Sequence, residues 1–322
     1  NPSLNAVTNL PTSTNTVIVY QNDSNNYLGV NNRATIWPQA IGYGVWTIVI
    51  NTLIFNGELQ LSSVPAISLG TATDRWNYVS NPFPSVMDWE GVTRTNVEGT
   101  IYRWDKSKVT FSAGGNQAAG TWGTYVISTG VTANGGSRYM APMQGFMVQA
   151  SSGASSASLA YPSSARVDQP ANYVRQQQTA EVARASVTHN ASGFGLETVL
   201  CFLPQASNAY DTDLEARYLS DGFAASQDLY TKDAQGQTYS IQSLPELSFQ
   251  NTTRIPLHLA HTQAGAAYTW NMDLSSLSSG HASWLEDSRL GTLTPVVSGQ
   301  PLTFTAQAGD AVDRFHWVFA AQ

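Results

Sequence analysis

Apolar and polar residues alternate along most of this chain, and a period of two leaves room for sheet and little else. In "RIPLHLAH", Ile255, Leu257 and Leu259 face one way, while Arg254, the Pro256 ring and His258 face the other. "AYTWNMDL" sets Tyr268, Trp270, Met272 and Leu274 in one row. "LTFTAQA" and "RFHWVFA" repeat the pattern with Leu302, Phe304, Phe315, Trp317 and Phe319. Successive side chains of a strand point to opposite faces, so each stretch reads as a half-buried strand. Gly, Asn, Asp and Ser turns bound these stretches at short intervals. The pattern predicts an all-β protein of tandem antiparallel β-sandwiches, jelly-roll or immunoglobulin-like, with little helix. One short helix is expected over "DTDLEARYL".

Only 11% of the residues are charged, against about 25% in ordinary globular proteins. Short neutral polar groups take their place, which suits extended sheets in an extracellular setting. The net charge is −7 and the basic residues are scattered, so no basic stripe exists to hold nucleic acid. No segment approaches the roughly 20 apolar residues of a membrane span, and no membrane insertion is expected. Cys201 is the single cysteine, within "ETVLCFLP". It has no partner for an intramolecular disulfide and reads as a buried, unreactive small hydrophobe. The chain opens at Asn1 with neither Met nor the apolar core of a signal peptide, so it reads as processed or excerpted.

Polar residues without alternation, including Pro170, mark a linker at 166–182. It separates a β-sandwich region, 1–165, from a C-terminal β-sandwich domain, 183–322. The first region reads as two imperfect repeats, about 1–70 and 76–165. Both "NPFPSVMDWEGVTRTNVEGTIYRWD" at 81–105 and "NPSLNAVTNLPTSTNTVIVYQND" at 1–23 begin Asn-Pro and end in an apolar strand, Tyr, two residues and Asp. Downstream, "APMQGFMV" (Ala141, Gly145) matches "AIGYGVWT" (Ala40, Gly44). In "NPFP" each proline fixes φ and removes an amide donor, so the chain leaves its sheet in a stiff bend. Trp76, Tyr78 and Phe83 are the expected anchors of that bend. The second corner follows the strand "RWNYVS", which the first copy lacks, yet "GVWTIVIN" is apolar on both faces. The first copy is therefore expected to be completed by an upstream part of the same polypeptide or by self-association, with residues 3–16 folding back as the alternative.

"WNYVSNPFPSVMDWEG", "GTIYRWD", "GTWGTYV" and "MAPMQGFMVQAS" together resemble the C-terminal region of secreted and surface proteins of Bacteroidota-type bacteria. Trp76, Asn77, Asn81, Pro82, Pro84, Ser85, Asp88, Trp89, Tyr102, Trp104, Gln144, Gly145 and Phe146 occupy matching places. Asp74, Arg75 and Ser80 depart from the glycines usual there, and Met143 replaces the first glycine of the later motif. "NAYDTDLEARYL" through "LTFTAQAGDAVDRFHWVF" resembles the module that follows in those proteins. The resemblance implies an extracellular β-sandwich exported by the type IX secretion system, with a sorting domain lying beyond this module.

Enzyme signatures are missing: no Gly-x-Ser-x-Gly elbow, P-loop, dinucleotide fingerprint or His-Glu-x-x-His. His258 and His261 fall on opposite faces of a strand, which separates them as metal ligands. Asp211 and Asp213 lead an acidic loop that calcium would favour, but the loop lacks the turn glycine of an EF-hand and reads as solvated or as bonded to Arg217. Asp88, Glu90 and Asp105 offer carboxylates for glycoside hydrolysis only if the fold brings two of them together. Trp89, Trp104 and Trp122 lie among Gly, Asn and charged neighbours, where an exposed ring stacks on a sugar and a buried one fills core. These readings converge on a non-enzymatic extracellular structural or adhesion protein of the cell surface, a strand-complemented filament subunit in one form. The alternative is a carbohydrate-binding accessory module of a secreted polysaccharide-degrading enzyme, with extracellular polysaccharide as its partner.

Overall fold

The structure is a computed structural model that describes residues 7–8, 15–21, 26–29, 38–47, 54–55, 58–72, 74–111, 118–168, 181–220, 227–247, 251–277 and 281–321. It is all-β. Internal contacts divide the chain into two units, residues 1–103 with 137–174, and residues 104–136 with 175–322. The linker expected at 166–182 falls largely outside the described residues, as do residues 1–6, most of 3–16 and the "IVI" after Thr47.

The first unit begins with β1 (Val7–Thr8), β2 (Asn15–Gln21), β3 (Asn26–Gly29), β4 (Tyr43–Thr47), β5 (Ile54–Phe55) and β6 (Val64–Leu69). It continues through β7 (Trp76–Ser80), β8 (Val86–Asp88), β9 (Thr93–Thr95) and the start of β10 (Thr100–Phe111). The chain leaves this unit inside β10, makes β11 (Ala118–Val126) and β12 (Thr132–Ala133), and returns for β13 (Tyr139–Met140), β14 (Gly145–Gln149), β15 (Ala157–Tyr161) and β16 (Arg166–Val167). β14 pairs antiparallel with β7 on one side and with β10 on the other. β2 likewise pairs antiparallel with β4. The two pairings run in different registers: Tyr102 stands opposite Met147, but Ile18 opposite Gly44. Along the other edge of β7, Gly42 N–H donates to Tyr78 O and Ser80 N–H to Ala40 O, both at 2.9 Å.

The "NPFP" bend follows β7. Phe83 is wholly buried and Trp76 nearly so, as their role as anchors requires. The residue that ties the bend is Asn81. Its buried Nδ2 donates to the carbonyls of Ser85, Ala141 and Met140 at 2.8, 3.0 and 3.2 Å. Its Oδ1 accepts from Phe83 N–H at 2.9 Å. Proline supplies the stiffness, and one amide side chain replaces the sheet bonds that are lost where the strand ends.

The second unit holds β17 (Glu181–His189), β18 (Gly195–Phe202), β19 (Ala216–Arg217), β20 (Asp228–Lys232), β21 (Thr238–Leu244), β22 (Thr253–Ala260), β23 (Ala267–Asp273), β24 (His281–Asp287), β25 (Thr292–Pro295), β26 (Leu302–Thr305) and β27 (Phe315–Ala321). They form one sheet in the order β25-β24-β27-β22-β20-β21-β18-β17-β23-β26, with β19 beside β21. The pairs are antiparallel except β18 with β21. The sheet turns its apolar face inward on itself, in the manner of a sandwich. Ile255, Leu257, Leu259, Tyr268, Trp270, Met272, Phe315, Trp317 and Phe319 are all in this core, as the alternation predicts. Rings from distant strands meet there: Phe202 and Phe319 edge-to-face at 5.3 Å, Trp270 and Phe315 at 5.5 Å.

The excursion through β11 and β12 joins this unit because its polar groups are bound there. Asn134 and Glu197 exchange side-chain to backbone hydrogen bonds in both directions, at 2.8 to 3.1 Å, and Arg184 Nη1 donates to Thr132 O at 2.7 Å. The helix expected over "DTDLEARYL" does not form. Asp211 Oδ1 accepts from Asp213 N–H at 2.9 Å, closing a turn, and Ala216–Arg217 pairs with β21 instead. An Asp side chain bonding two residues ahead competes with a helical start.

Candidate binding site

Of the three tryptophans proposed as sugar platforms, Trp89 is corrected by the structure. Its ring is 0% exposed, its Nε1 donates to Gly99 O at 3.0 Å, and Phe146 and Arg94 cover it. Trp89 is core. Trp104 and Trp122, in the second unit, are half-buried and form an edge-to-face pair with centroids 5.1 Å apart. The Gly120 backbone lies against the Trp104 indole so closely that a Cβ would meet Cζ2 at 2.5 Å. That glycine is what allows the ring to lie across its neighbouring strand.

The carboxylates are engaged. Arg138 takes Asp88 through Nε at 2.9 Å and Glu90 through Nη1 at 2.9 Å, so the two are ion-paired rather than poised as an acid and a base. In the acidic loop, Asp211 N–H and Ser243 N–H donate to the two oxygens of Glu215 at 2.9 and 3.0 Å. Glu215 is only 2% exposed, and burial pushes its carboxyl up to about 7. Among the described residues no cluster of three or more His, Cys, Asp or Glu is placed to hold a metal. Cys201 is fully buried and its thiol is pushed up to about 12 by desolvation. The thiolate that would attack an electrophile is therefore suppressed.

Sequence reasoning missed a concavity in the second unit. A cavity of about 440 Å³ in the second unit is lined by Trp270, Leu285, Leu302, Phe304 and Phe315, with Thr292, Thr294, Thr303 and Thr305 also lining it. β25 and β26 stand at opposite ends of the sheet path, yet both line this one space. The sheet therefore curls until its two ends flank a seam. Among the described residues neither end strand has a second partner.

Four charged groups gather beside the seam and satisfy one another. Arg314, 4% exposed, donates Nε to Asp287 Oδ1 at 2.9 Å and Nη1 to Asp310 Oδ2 at 2.9 Å, and its Nη2 bonds Asp287 Oδ2. Arg289 closes the set on Asp310. The Arg314 guanidinium also lies over the rings of Phe304 and Phe315. Both carboxylates of this cluster are held by arginine. The indole N–H of Trp270 is buried in the cavity wall without an acceptor among the described residues.

Residues 12–319 match the model of a family described as a domain of unknown function, DUF8693. The chain belongs to this family. No curated protein and no solved structure matches it. The family description assigns no chemistry, and the site has to be read from its own residues.

Proposed function

We propose that this protein is a non-enzymatic, extracellular structural or adhesion protein of the cell surface, exported by the type IX route that its sequence resemblance implies, and that it binds through the seam of its second unit. The observation that carries the reading is the seam itself, where two end strands flank a cavity with an aromatic floor and mutually neutralised charges. An open apolar cleft beside unpaired strand edges is a surface for polypeptide or ligand. The low charge content is in keeping with an extracellular setting. Deleting the protein from its parent cell is expected to reduce adhesion between cells or to surfaces, and protease applied outside the cell is expected to remove it. Turnover of a polysaccharide or peptide that disappears on mutating one Asp or Glu would overturn the reading.

The Trp104–Trp122 pair favours a second reading, a carbohydrate-binding accessory module. Two half-buried rings on neighbouring strands offer a stacking edge to a sugar chain. A glycan array separates the two. Binding by the wild type that is lost in Trp104→Ala and Trp122→Ala supports the module; no binding leaves the structural role.

A further inference from the structure

Deepening this reading, and resting on the seam as the binding site, we infer that the seam is a strand-acceptor groove and that its occupant is the segment Glu58–Ser63 of a second copy of the chain. The acceptor side follows from hydrogen-bond phase. Ala306 N–H donates to Ala266 O, and Tyr268 stands opposite Phe304. Hydrogen-bonded pairs of an antiparallel ladder recur every second residue. Phe304 and Leu302 therefore bond to β23, and the amides of Thr303 and Thr305 point to the free edge. On the other side Val296 N–H donates to Ser283 O, and Leu285 stands opposite Thr294. Thr294 and Thr292 therefore bond to β24, and Leu293 points its amide outward beside Pro295, whose missing N–H falls on the free side.

On the β26 side the cavity runs along the strand edge, whereas on the β25 side it meets only the alternate residues Thr292 and Thr294. Leu302, Thr303, Phe304 and Thr305 are consecutive, and all four line it. A space beneath one face of a strand meets alternate residues only, whereas a space along the edge meets every one. Such a slot fits an extended backbone that presents apolar side chains toward Phe304 and Trp270. One cap is present: Arg314 Nη1 donates to Thr305 O at 3.3 Å.

The donor is on the same chain. Leu59 is 70% exposed and Leu61 56%, while Gln60 between them is half-buried. Leu59 and Leu61 are among the most exposed large hydrophobic residues described. They sit two apart, at the spacing that places both side chains on one face of a strand. Glu58 is exposed beside them, and the seam presents Arg289 as the exposed member of its charge cluster. Arg166 holds Leu61 O at 2.9 Å, a bond exchanged for a ladder bond on insertion. The donor lies in the first unit and the acceptor in the second, so the contact is heterologous, of the kind that links copies into closed rings or open chains.

The test uses the full chain and a synthetic peptide, ELQLSS. Sedimentation across a wide concentration range is expected to show concentration-dependent self-association. Leu59→Glu with Leu61→Glu, and separately Thr303→Pro, are each expected to weaken it by roughly tenfold or more. Mixing these two variants is expected to give hetero-pairs that do not extend, because one copy keeps its acceptor and the other its donor; two misfolded proteins would not complement. The peptide is expected to bind the wild type and the leucine variant, but not Thr303→Pro. A wild type that stays monomeric and does not bind the peptide overturns the inference, as does association that neither variant alters. In the latter case the adhesive reading survives; loss of surface location and of any adhesive effect would sink that reading separately.

Discussion

At the scale of single residues, two features of the first unit carry measurable consequences. Asn81 donates to three carbonyl oxygens inside the "NPFP" bend. Asn81→Ala leaves the Phe83 amide without its acceptor and takes a donor from those carbonyls, of which Ala141 O keeps the Gln144 amide, and is expected to cost about 2–4 kcal/mol in urea unfolding. Asn81→Asp keeps the shape but aims a carboxylate at three carbonyls. Its penalty should match or exceed that of alanine at neutral pH and shrink as the pH falls and the introduced carboxyl takes a proton. An Asp variant as stable as wild type would show that shape alone holds the corner. Met143 and Arg75 stand where the resembling family usually has glycine, and both adopt left-handed backbone, with φ of 58° and 61°. Met143→Gly removes that strain at an exposed site and is expected to stabilise by up to about 1 kcal/mol, after the entropy of the added glycine is subtracted. Arg75→Gly should show no such gain, because Arg75 also donates to Ala150 O at 2.7 Å. Thermal melts of the two variants distinguish strain from side-chain bonding.

At the scale of elements, the ring of Tyr78 sets how close the strands beside β7 come. A Cβ on Gly42 would meet Tyr78 Cγ at 2.8 Å and Val79 O at 2.8 Å, whereas one on Gly145 would meet the Tyr78 hydroxyl at 2.5 Å. The ring end can swing and the backbone oxygen cannot. Gly42→Ala is therefore expected to destabilise more than Gly145→Ala, by about 1–3 kcal/mol for the former; equal melting temperatures would contradict this. These elements also show what a sequence reveals. β22, β23 and β27 were legible because each is half-buried, so burial prints a period of two on the residues. "GDAVDRF" sets Asp310 and Arg314 four residues apart, within reach of each other across a local turn. It could not give Asp287, which reaches Arg314 through sheet pairing. The seam was hidden for the same reason: Thr292 and Thr305 become neighbours of one cavity only after the intervening sheet has curled. Trp89 and Trp104 looked alike in composition. Only the close packing of Phe146 and Arg94 separates a core ring from a half-buried one.

At the scale of the molecule, the compact units do not coincide with the sequence blocks. Residues 104–136 belong to the second unit through Thr132 and Asn134, so a chain cut at the linker would strand Arg184 and Glu197 without those partners. Two units predict two unfolding transitions, and pH should tell them apart. Glu215 lies in the second unit, and desolvation, with Asp211 and Asp233 nearby, lifts its carboxyl from 4.5 to about 7. Between those values the folded state holds a proton that the unfolded state has released. Stability is then fully present below about pH 4.5 and falls as the pH rises toward about 7, by about 2–4 kcal/mol. His258 and His316 work in the opposite sense. Burial lowers both below the usual imidazole value, so they withdraw stability as the pH falls below about 6.5. The two effects oppose each other in the same pH window, so the Glu215 contribution is read as a difference between wild type and a Glu215 variant. Glu215→Gln deletes the first effect alone: one of the two backbone amides, Asp211 or Ser243 N–H, loses its side-chain acceptor at every pH, and the stability of wild type relative to the variant should fall between about pH 5 and about pH 7. Urea titrations at those two pH values decide the point. A wild-type-minus-variant difference that stays constant between them would mean that the Glu215 carboxyl is ionised in the folded protein, held so by the amides of Asp211 and Ser243 that already bond its two oxygens.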